Sequence, residues 1–263
     1  MIRLIGIDVD GTLVGKSGEV APAVWQAAAQ ARAAGIHLAL CSGRPAFGLA
    51  LEYARQLDGD GWHIFQNGAS VLNFTSHESR SIPLPGAVVS ELIAQARATN
   101  KVLELYSDTA YVVESTAAWA REHAELLGVP FQTQRFETLE KPVVRAQWVV
   151  SPADAALVIA PPGLEMAEST SPLMPDARFV GMTREGVSKG TAMRQIAAAY
   201  HVDLRDVMYV GDSGNDLPAL QVVGHPVAMG NSGAEVRKAA KRTVGHVDQG
   251  GLAEALLLAV NSA

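Results

Sequence analysis

This sequence has very little cysteine, no long apolar run and no excess of basic charge. Its one cysteine, Cys41, cannot form a disulfide within the chain, which fits a reducing compartment. No apolar run reaches the roughly 18 residues that would span a bilayer, and Asp8 interrupts the N-terminal run too early for a secretory signal. Lys and Arg number 21 against 27 Asp and Glu, a net charge of −6 with no basic footprint for nucleic acid. We therefore expect a cytoplasmic protein that binds neither membranes nor nucleic acid.

The first and last thirds of the 263 residues alternate short apolar runs with helical patterns. Pro22 in the first turn and Gly35 after the last turn mark a helix over residues 22–34, and a second helix is expected over 190–200. Strands are predicted at 4–7, 36–40, 64–65, 207–210 and 226–229. Strands that are apolar throughout and alternate with helices are typical of a parallel sheet covered on both faces. We predict a Rossmann-like α/β core formed by residues 1–83 and 180–263.

The middle of the chain, residues 84–179, has a different pattern. Its predicted strands, at 102–106, 111–114 and 145–150, mix polar with apolar residues, which favours a sheet with one face in water. We interpret this stretch as an α+β domain inserted into the core. Its possible substrate-facing residues, which could equally belong to its hydrophobic core, are Glu104, Tyr106, Trp119 and Trp148.

Polar residues follow the predicted core strands at the point where each strand ends. Asp8 and Asp10 follow the first strand, Ser42 follows the second, and Asp212 begins a polar stretch after the strand at 207–210. Ligands of open α/β sheets bind at the carboxyl ends of the strands, so we expect these side chains to meet. Clustered carboxylates repel one another unless a cation neutralises them, and an all-oxygen ligand set favours Mg²⁺ over zinc.

Asp8 and Asp10 have a spacing that suits phosphoryl transfer. Alternate residues on extended backbone point to the same side, so one carboxylate can attack phosphorus while the other holds a proton for the leaving oxygen. Gly11 permits a sharp exit from the strand. Lys189, at the start of a predicted helix, can bring its ammonium to phosphate oxygens and to the nucleophile.

Four segments in this order resemble the motifs of the haloacid dehalogenase-like hydrolases. They are Asp8-Val9-Asp10-Gly11-Thr12-Leu13, Cys41-Ser42-Gly43-Arg44-Pro45, Gly186-Val187-Ser188-Lys189-Gly190 and Gly211-Asp212-Ser213-Gly214-Asn215-Asp216. The insertion between the second and third segments resembles the Cof-type phosphatases, whose cap is of the large C2B class. The stretch 227–231, which ends at Asn231, is also similar to that subfamily.

The resemblance implies a role for each acidic residue of the motifs. Asp8 would be the nucleophile and a Mg²⁺ ligand, and Asp10 would be the general acid and then the general base, with its backbone carbonyl on the metal. Asp212 would be the second carboxylate on Mg²⁺, and Asp216 would support the metal or the lysine.

The same resemblance implies a phosphate-binding set. Ser42, the Gly43 amide, Lys189 and Asn215 would hold the phosphate oxygens. Arg44 would either contact the substrate or pair with an acid.

Other readings of the motifs are set aside. A cysteine phosphatase requires an arginine six positions after Cys41, where this chain has Phe47. The stretch 186–191 lacks the glycine that precedes the lysine of a P-loop.

The sequence therefore predicts a magnesium-dependent phosphatase acting on small phosphate monoesters, such as sugar phosphates, with the inserted domain as the substrate-selecting cap. Two alternatives stay open: a sugar phosphomutase with the same aspartyl-phosphate, and a non-catalytic module that binds a phosphorylated metabolite.

Overall fold

The computed structural model describes residues 1–171 and 173–261, which form two compact units. Unit 1 comprises Met1–Arg44, Ala50–Arg80 and the chain from Ser188 onward, and unit 2 comprises Pro45–Leu49 and Ser81–Val187. The strands are β1 (Leu4–Asp8), β2 (His37–Cys41), β3 (Trp62–Phe65), β4 (Ser70–Asn73), β5 (Val102–Tyr106), β6 (Tyr111–Val113), β7 (Arg145–Val150), β8 (Leu164–Ser171), β9 (Met174–Arg184), β10 (Val207–Gly211), β11 (His225–Ala228) and β12 (Arg242–Thr243). The helices are α1 (Pro22–Ala33), α2 (Gly48–Asp58), α3 (Gly86–Thr99), α4 (Ala118–Leu127), α5 (Pro152–Ala155), α6 (Lys189–Ala199), α7 (Leu217–Leu220), α8 (Ala234–Ala239) and α9 (Gly251–Val260).

Unit 1 is built on a seven-stranded sheet in the order β12-β11-β10-β1-β2-β3-β4. Every neighbouring pair is parallel except β3 with β4. The central strands β1 and β10 are buried along their whole length, as the continuous apolar runs predict. The predicted parallel α/β core is therefore confirmed.

Strand pairing carries the central strands one residue past their apolar runs. Asp8 still pairs with Cys41, and Cys41 pairs with Ile64, so β1 and β2 end at these residues rather than at Ile7 and Leu40. Asp8, the acid that ends the first apolar run, is therefore part of the sheet, and strand pairing fixes its backbone.

The sheet of unit 2 is antiparallel, in the order β6-β5-β7-β9-β8. The expectation that its strands have one face in water is wrong for β5, which is buried throughout, and for β7, where only Arg145 is partly exposed. Successive residues of β5 enter two different apolar clusters: Leu103 packs with residues of α3, whereas Val102 packs with Ala120 of α4. Helices therefore cover both faces, and Trp148 belongs to the core.

The bounds of the second unit also differ from the predicted 84–179. The last strand of unit 2, β9, continues through Val180 to Arg184 because it stays paired with β7 and β8 over that stretch. Val180 therefore belongs to unit 2, and the chain enters unit 1 at Ser188. The substrate-selecting role of this unit stays a prediction.

Among the residues that the structure describes, no helix combines the length and the apolar character needed to cross a membrane.

Candidate active site

The carboxyl ends of β1 and β10 bring three acids together. These strands are neighbours, with Ile7 opposite Val210, so Asp8 at the end of β1 lies beside the turn that follows β10. One carboxylate oxygen from each of Asp8, Asp212 and Asp216 lies within 4.8 Å of the others. The strand ends have thus brought Asp8 of the first motif together with both acids of the fourth motif.

Lys189 lies among these acids, with its side chain fully buried. Its Nζ is 2.5 Å from Asp8 Oδ1 and 2.7 Å from Asp216 Oδ1. Lys189 is the first residue of α6, and Ser188 caps this helix by accepting a hydrogen bond from the Thr191 amide while Thr191 Oγ1 accepts one from the Ser188 amide. The capping box therefore fixes the point from which the lysine side chain reaches Asp8.

Asp216 has both carboxylate oxygens occupied. Oδ1 accepts hydrogen bonds from Lys189 and from the Tyr209 hydroxyl at 2.7 Å, and Oδ2 accepts from the amides of Asp212 and Ser213, each at 3.0 Å. These bonds hold both the lysine and the turn that carries Asp212. Tyr209 was missed by sequence reasoning because an aromatic residue within a buried strand is ordinarily a core residue.

The site carries three carboxylates against one ammonium. Burial raises the pKa of Asp8, and the charges of Asp216 and Asp212 add to the shift while Lys189 opposes it. Burial and the charge of Asp216 raise the pKa of Asp212 to about 6. Burial alone would lower the pKa of Lys189, but Asp8 and Asp216 outweigh it and the pKa is raised. The excess negative charge is what a bound cation would neutralise.

Asp212 has a free oxygen for such a cation. Its Oδ1 is buried and has no hydrogen-bond partner among the described residues, whereas the Asp216 oxygens are all occupied. A buried, unpaired carboxylate oxygen is costly in a protein unless a ligand takes it. With Asp8 nearby, the donor set is made of hard oxygens only, which fits Mg²⁺.

Asn231 orients Asp212 and ties three loops together. Its Nδ2 donates to the Gly11 carbonyl at 2.8 Å and to Asp212 Oδ2 at 3.1 Å, and its Oδ1 accepts from the Val247 amide at 3.0 Å. A Cβ on Gly11 would lie 2.2 Å from Asp212 Oδ2, and its φ is +88°, so only glycine fits. The similarity of the stretch 227–231 to the Cof-type phosphatases did not indicate that Asn231 orients Asp212.

The predicted phosphate-binding residues of the second and fourth motifs lie near one another. Ser42 is buried, and its carbonyl accepts a hydrogen bond from the Asn67 amide at 2.9 Å. Asn67 Oδ1 accepts from Asn215 Nδ2 at 3.1 Å, and a Cβ on Gly43 would be 3.2 Å from the same oxygen. Asn67 thus links the loop after β2 to the turn after β10.

Arg44 pairs with an acid, one of the two roles left open by the sequence. Its Nε is 3.0 Å from Asp10 Oδ2, and its Nη2 is 2.5 Å from Asp10 Oδ1. The fork of the guanidinium therefore engages both oxygens of the predicted general acid.

The family model of the haloacid dehalogenase-like hydrolases matches residues 5–256. The chain belongs to this family. It is 27% identical over 267 residues to "Putative phosphatase YxeH" of Bacillus subtilis (strain 168), with 97% of each chain covered. A solved haloacid dehalogenase-like hydrolase from Bacteroides thetaiotaomicron is 26% identical, with a TM-score of 0.84 over 98% of this chain and 99% of that one. The structure of the subclass IIB sugar phosphatase BT4131 shares the fold, with a TM-score of 0.80, 22% identity and coverage of 97% and 98%.

Membership of the haloacid dehalogenase-like hydrolases confirms the family that the four motifs predicted. The prediction of a Cof-type hydrolase that acts on phosphoric monoesters is confirmed as well. The cysteine mechanism that the sequence set aside finds no support in the structure. Cys41 is fully buried, and burial raises the pKa of its thiol far above the usual range, so the thiolate is not formed.

Proposed function

We propose that this hydrolase releases phosphate from small phosphorylated metabolites in a magnesium-dependent reaction that passes through an aspartyl-phosphate on Asp8. The observation that carries the proposal is the position of Asp8 at a strand end, 2.5 Å from the buried ammonium of Lys189 and beside two further carboxylates. A carboxylate held against a fixed ammonium and a cation site is preorganised for attack on a phosphate dianion.

In the first step a carboxylate oxygen of Asp8 attacks phosphorus. The new Asp8–phosphorus bond forms as the bond from phosphorus to the leaving oxygen breaks, and Asp10 gives that oxygen its proton. In the second step a water molecule attacks phosphorus, Asp10 takes the proton of the water, and the Asp8–phosphorus bond breaks. Phosphate leaves and both aspartates return to their first states.

The metal ligands that we propose are the carboxylates of Asp8 and Asp212 and the backbone carbonyl of Asp10. Mg²⁺ bound there would neutralise the charge that the nucleophile and the phosphate bring together. Asp216 supports this set through Lys189 and the Asp212 amide instead of acting as a ligand, because its oxygens are already hydrogen bonded.

Ser42, Gly43, Lys189 and Asn215 are the proposed contacts of the phosphate oxygens. The hydrogen bonds from Asn215 to Asn67, and from Asn67 to the Ser42 carbonyl, support the joint action of Asn215 and Ser42. Their amide, hydroxyl and ammonium donors suit the equatorial oxygens of a phosphoryl group in transfer.

We further propose that the inserted domain, predicted at residues 84–179, selects the substrate, and that the substrate is a sugar phosphate. The fold shared with a protein described as a sugar phosphatase supports this choice. A cytoplasmic location is proposed from the single, buried cysteine and the acidic composition.

The experiment is phosphate release from a panel of sugar phosphates and other monoesters, with Mg²⁺ and with EDTA. We expect release that requires Mg²⁺, that Asp8→Asn abolishes, and that Asp176→Asn, at an exposed aspartate, leaves unchanged. Turnover retained by Asp8→Asn would contradict the proposed nucleophile. Interconversion of sugar phosphate isomers without phosphate release would instead indicate a mutase.

A further inference from the structure

Arg44 and Asp10 form an ion pair with two hydrogen bonds in unit 1. The guanidinium donates from Nε to Asp10 Oδ2 at 3.0 Å and from Nη2 to Asp10 Oδ1 at 2.5 Å. The side chains are 36% and 62% exposed, respectively. An exposed ion pair of this kind contributes little to stability, so its importance lies in what it does to the carboxylate.

Within the described part of the chain, no other hydrogen bond to the Asp10 carboxylate is present. The orientation of that half-exposed side chain therefore depends on Arg44. Lys189 and Asp216, by contrast, are packed on all sides and hold each other. A general acid needs a defined direction toward the leaving oxygen, because proton transfer requires hydrogen-bond geometry.

Two hydrogen bonds fix the backbone of Arg44. Its amide donates to Ser42 Oγ at 3.0 Å, and its carbonyl accepts from the Gln66 amide at 2.9 Å. The guanidinium is a planar fork that donates from two nitrogens at once, which a single ammonium cannot reproduce. It accepts no proton, so it can orient a carboxylic acid without competing for the proton that the acid must deliver.

We propose that Arg44 is a positioning residue for Asp10, acting on the general acid and not on the phosphate. This inference rests on the proposed function. When Asp10 carries its proton, one of the two hydrogen bonds opens to free that oxygen, and the other keeps the carboxyl group directed at the leaving oxygen. The proton then passes from Asp10 to the leaving oxygen as the phosphorus–oxygen bond breaks.

If Arg44 positions Asp10, the effect of losing Arg44 on the rate depends on the leaving group. If Arg44 binds phosphate, the effect is the same for every leaving group. A nitrophenolate leaves without needing a proton, whereas an alkoxide needs one as it leaves. In the first step, losing the orientation of the acid therefore slows alkyl esters and spares aryl esters with good leaving groups. The second step, in which Asp10 takes the proton of water, is the same for both esters, so the two are compared by kcat/KM, which reports the first step. Losing a phosphate contact slows both alike, because both carry the same phosphoryl group.

The test compares p-nitrophenyl phosphate with a primary alkyl phosphate that the wild-type enzyme hydrolyses, for Arg44→Met and Arg44→Lys. For Arg44→Met we expect kcat/KM on the alkyl ester to fall about 10²-fold, near the lower end of what general acids contribute. On p-nitrophenyl phosphate we expect kcat/KM to fall by less than about tenfold. Arg44→Lys should resemble Arg44→Met, because one ammonium cannot engage both oxygens.

Two outcomes overturn the inference. Equal losses of kcat/KM on both esters, restored by Arg44→Lys, would show that Arg44 binds phosphate, the other role left open by the sequence. Unchanged kinetics in both variants would show that the ion pair has no part in turnover. Arg32→Met, at an exposed arginine of α1, is the matched control. Asp8→Asn is measured on both esters in parallel, so that a failure of the proposed chemistry is distinguished from a failure of this inference.

Discussion

The acids of the cluster differ in which of their carboxylate oxygens are already hydrogen bonded. Asp216 receives four strong donors and has no oxygen to spare, whereas Asp212 keeps a buried Oδ1 without a partner. Two aspartates four positions apart in one motif therefore differ in whether they have an oxygen free for a ligand. Their spacing cannot distinguish them, because the distinction comes from Lys189 and Tyr209 in other elements.

Asn231 is expected to set the metal affinity through Asp212. Asn231→Ala removes the hydrogen bonds to Asp212 Oδ2 and to the Gly11 carbonyl, so the carboxylate loses its fixed orientation. We predict that the Mg²⁺ concentration for half-maximal activity rises about 10–100-fold, the usual range for partners of metal ligands. Magnesium titrations of phosphate release measure this, with Asn261→Ala as the control. An unchanged Mg²⁺ requirement would exclude the orienting role.

His63 is expected to make the protein sensitive to acid. Its ring is fully buried, with Nδ1 accepting from the Leu40 amide at 3.1 Å and Nε2 bonded to the Asp58 carbonyl at 2.8 Å, and burial lowers its pKa to about 4. The unfolded chain takes up this proton below about pH 6.5, but the folded protein takes it up only near pH 4. Stability present above pH 6.5 is therefore lost as the pH falls toward 4, by up to about 3 kcal/mol.

Urea unfolding at a series of pH values tests this contribution. His63→Gln should be less stable at neutral pH but should lose less stability between pH 6.5 and 4 than the wild type does. The exposed His201 provides a control in His201→Asn, since asparagine tolerates its left-handed backbone with φ of 53°. Identical pH profiles for wild type and His63→Gln would contradict the prediction.

At the scale of elements, the start of α6 is fixed by contacts on two sides. Ser188 caps the helix, and a Cβ added to Gly190 would lie 2.3 Å from the Pro218 carbonyl of α7. The close approach of these two helices sets the position of Lys189, the residue between Ser188 and Gly190. Glycine at this point is needed for space and not for an unusual φ.

Gly190→Ala is therefore expected to destabilise unit 1 although alanine favours helices. We predict a loss of about 1–3 kcal/mol from overpacking against α7, together with reduced turnover as Lys189 moves. Gly86→Ala, at the first residue of α3, meets no atom within 4 Å and should be neutral. Chemical denaturation of the two variants measures the difference. Equal free energies of unfolding for the two variants would show that α7 shifts to accept the added methyl group without loss of stability.

The elements show where sequence patterns succeed and where they do not. The core strands were predictable because an apolar run bounded by polar residues has one interpretation in a parallel sheet. The prediction for β5 was wrong because Glu104 gives the sequence of this strand the pattern of a half-exposed strand. In the structure Glu104 is fully buried and accepts hydrogen bonds from the Tyr106 hydroxyl and Gln147, and it pairs with His123 Nδ1 at 2.7 Å. Two of these partners, His123 and Gln147, lie 19 and 43 residues away, so no local pattern could have indicated them.

At the scale of the whole molecule, the candidate site collects residues from both ends of the sequence. Asp8 and Lys189 are 181 positions apart, and Gly11 and Asn231 are 220 positions apart. The ordered motifs predicted this convergence because parallel strands bring their carboxyl ends to one edge. The Arg44–Asp10 pair and the role of Asn231 required side-chain geometry, which a spacing of motifs does not contain.

The central claim, an aspartyl-phosphate on Asp8, is tested most directly by acid-quenching the enzyme during turnover of p-nitrophenyl phosphate with Mg²⁺ and locating phosphate by peptide mass spectrometry. The account predicts a phosphorylated peptide containing Asp8 in the wild type, more of it in Asp10→Asn because hydrolysis is slowed, and none with EDTA. Phosphate release that continues with Asp8 unmodified in both proteins, and that survives in Asp8→Asn, would contradict the account.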